Sequence, residues 1–113
     1  MMPELPDEEE AGVSVVTVSE LLHGVHRAAG ARGLRRLALV ERVLAWLKPI
    51  PITEPVARVH AWVWADLESR GELIGAHDLW IAATALTHGL TLATLDGAEF
   101  ARVPGLRVIS PSA

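Results

Sequence analysis

The strongest restriction on the fold comes from an alternation: short β-branched runs punctuate longer stretches in which apolar residues recur at helical spacing. Residues 13–18, Val-Ser-Val-Val-Thr-Val, follow Gly12 and read as a short buried strand. Thr17 and Glu20 then form a capping box, and Leu21, Leu22, Val25 and Ala29 continue at helical spacing to Gly30. A second helix is expected over about 34–47, with Leu34, Leu37, Val40, Leu44 and Leu47 as its apolar stripe and Pro49 as its stop. Residues 50–53 form a brief strand. Thr53 as cap and Pro55 in the first turn open a third helix, with Val56, Val59, Val63 and Leu67 on one side and Gly71 as its end. A fourth helix at about 77–88 places Leu79, Ala82, Ala83 and Leu86 inward, with Gly89 just past it. Strands at 90–95 and 106–109 flank a turn of helix at 98–102. Strands separated by helices imply parallel pairing with both faces covered, hence an α/β fold.

The 113 residues suffice for one core, and a chain of this length buries roughly 65% of its unfolded surface. Half the residues are apolar and about a fifth charged, which excludes a disordered chain, and no apolar run has the length of a membrane span. The expectation is a soluble globular protein. The absence of cysteine removes disulfides, thiolate zinc sites and a cysteine nucleophile, and with no signal-peptide pattern the expected location is cytoplasmic. The formal charge of −4 is unevenly placed, because Glu4, Asp7, Glu8, Glu9 and Glu10 lie in the first ten residues. Residues 1–12 therefore read as an acidic leader, and the body at 13–110 carries a slight positive excess that leaves an anionic substrate open.

Three carboxylates stand out by position. Glu20 falls just beyond the first expected strand, Asp78 in the first turn of a helix, and Asp96 directly after the strand at 90–95. Ligands of open parallel sheets bind outside the carboxyl ends of the strands, so these acids are candidates for one site. Clustered carboxylates repel one another, and a hard divalent cation such as Mg²⁺ or Mn²⁺ neutralises them and polarises phosphate. Singly, each has a structural reading: Glu20 as the N3 member of the capping box, Asp78 as a first-turn acid and Asp96-Gly97 as a turn pair.

These residues resemble the PIN domain of the VapC toxin type. The resemblance rests on Ser14-Val-Val-Thr17-Val-Ser-Glu20-Leu, on Arg70-Gly71-Glu-Leu-Ile-Gly75-Ala-His-Asp78-Leu-Trp-Ile-Ala-Ala-Thr84-Ala, and on Thr91-Leu-Ala-Thr94-Leu-Asp96, with Phe100 and Val103-Pro-Gly-Leu-Arg-Val-Ile109 after them. It runs in order over about residues 13–110. It implies a three-layer α/β/α domain with a mainly parallel sheet, and a Mg²⁺- or Mn²⁺-dependent endoribonuclease using one or two ions. It further implies the toxin of a type II toxin–antitoxin pair, acting on RNA, neutralised by a cognate antitoxin and assembled as a homodimer or larger. Glu20, Asp78 and Asp96 match the family's acidic ligands, supported by Thr94, a hydroxyl beside Asp96, and by Thr17. His77 stands where the family commonly has Asn or Asp and is not taken as a ligand.

One feature departs from the family pattern. PIN domains open on a central apolar strand ending in a ligand aspartate, and Met-Met-Pro-Glu-Leu-Pro followed by Asp7 and Glu8 does not match it. The expectation is an N-terminally truncated domain lacking its central first strand, whose complete version carries roughly 25 to 35 further residues. The alternative function is a catalytically impaired remnant that acts only as an antitoxin-binding module. A flavodoxin-like or response-regulator-like domain is disfavoured, since the phosphate loop or first-strand acidic pair it needs is missing.

Other features carry less. Glu20-x-x-His23 with His26 has the spacing of helical di-iron sites but no matching partner helices. Arg27, Arg35 and Arg36, within a run that includes Arg32 and Arg42, are candidates for contacting RNA phosphate, or else form a solvated helix face. Trp62 and Trp64 cannot share the Val59/Val63 stripe, so one is expected to reach a partner surface, while Trp46 and Trp80 are candidates for the core.

Overall fold

The computed structural model describes residues 12–110; the acidic leader, apart from Gly12, lies outside the described residues. The chain divides into two units, Met1–Pro51 and Ile52–Ala113. In the first, β1 (Gly12–Ser14), α1 (Val15–Arg27), α2 (Gly30–Trp46) and β2 (Lys48–Ile50) follow in order. The two strands pair in parallel, Gly12 opposite Lys48 and Ser14 opposite Ile50. Two strands running the same way need a long connection between them, and the α1–α2 pair supplies it.

The expected strand at 13–18 is cut short, because α1 begins at Val15. Ser14 is extended, and its Oγ accepts a hydrogen bond from the Val16 N–H at 3.1 Å, so Ser14 is the cap and not Thr17. A satisfied N-terminal donor outweighs the β preference of Val15, Val16, Thr17 and Val18, each of which costs a helix only a few tenths of a kcal/mol, on the order of 0.5. The second helix starts four residues earlier than expected, at Gly30, whose φ of 61° opens a turn that residues with a Cβ adopt only at a cost. Of its expected stripe, Val40 is buried and Leu44 and Leu47 are half-buried, but Leu34 is 71% exposed. Strand β2 ends at Ile50, where the strand at 50–53 was expected to begin. Pro51 has no N–H to continue a ladder.

The second unit comprises α3 (Glu54–Ser69), α4 (Ala76–Thr87), β3 (Leu92–Ala93), α5 (Gly97–Phe100) and β4 (Val108–Ile109). Thr53 precedes α3 in extended conformation but caps it without its side chain, and Pro55 occupies the first turn. Gly71, φ 67°, and Gly89, φ 64°, turn the chain after α3 and α4 as expected. Strands β3 and β4 are parallel and short, Leu92 opposite Val108. Their ladder is lengthened by the Leu92 N–H to Arg107 carbonyl bond at 2.8 Å and the Thr94 N–H to Ile109 carbonyl bond at 3.0 Å. Val63, Leu67, Ile74, Leu79, Ala82, Phe100 and Val103 form one buried cluster. Removing such side chains from water is the main force holding α3, α4 and α5 together.

The tryptophans depart from expectation. Trp46 is 86% exposed, and Trp62 and Trp64 both face outward. Trp80 is half-buried and stacks on the buried His60, ring centroids 3.5 Å apart at 14°. No helix among the described residues is long and apolar enough to cross a membrane.

Candidate metal centre

Asp78, Asp96 and Glu99 converge in the second unit, each offering a carboxylate oxygen within 4.8 Å of the others. Asp78 sits in the first turn of α4, after Gly75 in extended conformation. No side chain caps this helix, so its free N–H groups leave a positive end that favours an acid there. Asp96 is the N-cap of α5, accepting from the Glu99 N–H at 3.4 Å. Its own N–H donates to Thr94 Oγ1 at 3.0 Å, while the Ser110 hydroxyl donates to the Thr94 carbonyl at 2.7 Å. Thr94 thereby ties the turn carrying Asp96 to the end of β4. Gly97 lets Ser110 come this close, since a Cβ there would stand 2.8 Å from Ser110 Oγ.

Glu99 enters the group because buried Phe100 anchors α5 and a chain of arginine contacts fixes what surrounds it. Arg102 donates to the Leu73 carbonyl at 3.0 Å, which holds the approach to α4 against the end of α5. Arg70 in turn donates to the Arg102 carbonyl at 2.8 Å and pairs with Asp66 on α3 at 2.8 Å. The helix carrying Asp78 and the short helix carrying Glu99 are thus linked through side-chain to backbone bonds. Backbone acceptors do not change register when side chains vary.

The electrostatics follow from this crowding. The Glu99 carboxyl is held above its ordinary range, first by sharing a hydrogen bond with Asp78, then by burial and by the Asp78 charge. A hydrogen bond with the Gly75 backbone and the Arg102 charge pull the other way. A carboxyl pushed up by a neighbouring carboxylate marks a site with too little positive charge. Oxygen ligands converging with that deficit suit a hard divalent cation.

The sequence placed Asp78 and Asp96 in one site, and the structure brings them together. It adds Glu99, whose signal was present in the Asp96-x-x-Glu99 spacing of an N-cap and its N3 residue. Glu20 stands on α1 in the first unit, exposed and two turns into the helix instead of directly after a strand. Thr17 lies within α1 and is not its cap. Arg27 and Arg36 line a concavity with Arg32 where α1 gives way to α2; Arg35 is exposed and is not among its lining residues.

The fold has known counterparts. The PIN domain family profile matches residues 3–106, and the chain belongs to the PIN domain family. It is 36% identical over 104 residues to Ribonuclease VapC1 of Rickettsia felis, covering 91% of this chain and 78% of that protein. It is 35% identical over 101 residues to Ribonuclease VapC4 of Mycobacterium tuberculosis, covering 89% and 77%. Among solved structures it is similar to VapBC2 from Rickettsia felis bound to a promoter DNA fragment, with a TM-score of 0.83, 26% identity, and coverage of 89% of this chain and 74% of that one. The expectation of an α/β fold of the PIN type therefore stands.

Proposed function

We propose that this protein is a metal-dependent endoribonuclease and the toxin of a type II toxin–antitoxin pair. The observation that carries the reading is the convergence of Asp78, Asp96 and Glu99, whose carboxylate oxygens lie within 4.8 Å of one another. The relatives named as ribonucleases and the neighbouring VapBC complex support the RNA substrate and the antitoxin partner. Exposed Leu39, Val43 and Trp46, one face of α2 by their spacing, support a protein partner or a second copy of the chain, because apolar side chains grouped in water favour being covered.

Asp78, Asp96 and Glu99 would offer carboxylate oxygens to Mg²⁺ or Mn²⁺. Glu20 is proposed as a further ligand on the strength of the family resemblance. A divalent cation held there supplies polarisation of a phosphodiester oxygen and neutralisation of the charge that builds on phosphorus. Thr94 keeps Asp96 oriented through the backbone, and Arg102 holds Asp78 and Glu99 at their mutual distance.

Asp78→Asn and Asp96→Asn each preserve shape and remove a ligand charge. Both are expected to reduce Mn²⁺-stimulated cleavage of a labelled RNA by more than about 100-fold, with EDTA abolishing the parent activity. Circular dichroism should show the fold unchanged. Parent-level cleavage by both variants would remove this mechanism. Metal binding and antitoxin binding without any cleavage by the parent chain would instead identify an interaction module.

A further inference from the structure

Three arginines gather within the first unit. Where α1 ends and α2 begins, Gly24, Arg27, Ala28, Ala29, Arg32 and Arg36 line an open concavity of about 390 Å³. Three of these six carry a guanidinium and none carries an acid. The backbone contributes in the same sense. Ala29 precedes α2 without a side-chain cap, and no acid occupies the first turn of that 17-residue helix. Its first N–H groups and its positive end are therefore not offset by any carboxylate of its own.

Two small residues shape the recess. A Cβ on Gly33 would stand 3.0 Å from the Ala28 carbonyl, so glycine there permits the close return of α2 past the end of α1. Gly24 leaves room under Arg36, which donates to the Gly24 carbonyl at 3.5 Å and is held over the recess by that bond. Arginine's planar fork matches phosphate oxygens, and three forks around one recess form an anion site and not a merely solvated face. Gly24 and Arg27 follow Glu20 at intervals of four and seven residues on α1, the same side of the helix. The recess thus lies about 10 Å along the axis from the proposed ligand Glu20.

We propose that Arg27, Arg32 and Arg36 bind internal phosphodiesters of the RNA strand, fixing the strand along α1 past Glu20. The identity of the ligand rests on the nuclease reading, but its test does not require cleavage. Binding of a fluorescein-labelled, uncleaved single-stranded RNA to the full chain is measured in EDTA by anisotropy over a salt series. For a single strand, each arginine–phosphate pairing that is removed lowers the salt slope by about 0.7. The combined Arg27→Gln, Arg32→Gln, Arg36→Gln variant should lower the slope by about 2 and weaken binding at least roughly tenfold. Gly24→Asp, whose carboxylate enters the recess without displacing backbone, should weaken binding in the same way, while Gly24→Ala should not. Arg58→Gln, an exposed α3 residue paired with Glu54, controls for net charge and should leave binding within about twofold.

Unchanged affinity and slope in both the triple variant and Gly24→Asp would overturn the proposal. So would an effect seen only on RNA bearing a 5′-phosphate, which would assign the recess to strand ends. Asp78→Asn distinguishes the two claims: it should lose cleavage while keeping full binding in EDTA. Cleavage unaffected by Asp78→Asn would count against the metal mechanism and leave the recess standing.

Discussion

Glu99 is one helical turn from Asp96 and shares a hydrogen bond with Asp78, so its chemistry belongs to its neighbours more than to itself. Its folded carboxyl is held above the usual range; any stability it contributes is therefore full at low pH and lost as pH rises through the folded value. Its ionised form therefore opposes folding, and a cation beside it offsets that repulsion. In EDTA, Glu99→Gln should melt above the parent, and the gain in Tm on adding Mn²⁺ should be smaller in the variant, both read by scanning fluorimetry. A cation at about 100 times its Kd adds about 2.7 kcal/mol to the parent. His60 titrates in the opposite sense. Burial pulls its imidazole below the usual range, so the native state takes up a proton less readily than the unfolded chain. Stability is therefore present above the unfolded value of 6.5 and is lost as pH falls through it toward the folded value. The melting temperature should drop between about pH 7 and pH 5, and His60→Phe, which keeps a ring against Trp80, should flatten that drop. An equal drop in the variant would assign it to other groups.

At the scale of elements, caps and backbone anchors decided more than side-chain preference. Ser14, buried and bonded to the Val16 N–H, converts a β-branched run into the first turns of α1. Ser14→Ala should cost about 1 kcal/mol in denaturant unfolding, and Thr17→Ala distinctly less; the reverse order would restore Thr17 as the cap. Helix α5 has only four residues and would not persist alone, since nucleation is unfavourable and so short a helix cannot offset it. It exists because Phe100 is buried, Asp96 caps it and Arg102 reaches the Leu73 carbonyl. The same three contacts place Glu99 in the acidic cluster, so the shortest helix of the described residues helps to build that cluster.

For the molecule as a whole, the second unit carries the apolar cluster on which the acidic group of Asp78, Asp96 and Glu99 rests. Leu67 is fully buried within it, and Leu67→Ala should cost about 2–5 kcal/mol in equilibrium unfolding, with loss of Mn²⁺-dependent activity at elevated temperature. A loss below 1 kcal/mol, on the order expected for a surface change, would mean that the cluster does not support the unit. The sequence by itself determined the number and type of the principal helices, the inward positions of α3 and α4, and, of the three acids Glu20, Asp78 and Asp96, the closeness of the last two. These depend on periodicity, turn residues and strand-to-helix order, which are local properties of the chain. Tertiary structure alone decided the beginning of α1, the outward facing of Leu34, Trp46 and both Trp62 and Trp64, the entry of Glu99 into the acidic cluster, and the gathering of Arg32, not Arg35, with Arg27 and Arg36. The physical reason is common to them: burial and hydrogen bonding between segments distant in the chain are worth more than the few tenths of a kcal/mol, on the order of 0.5, by which a residue prefers one local conformation to another.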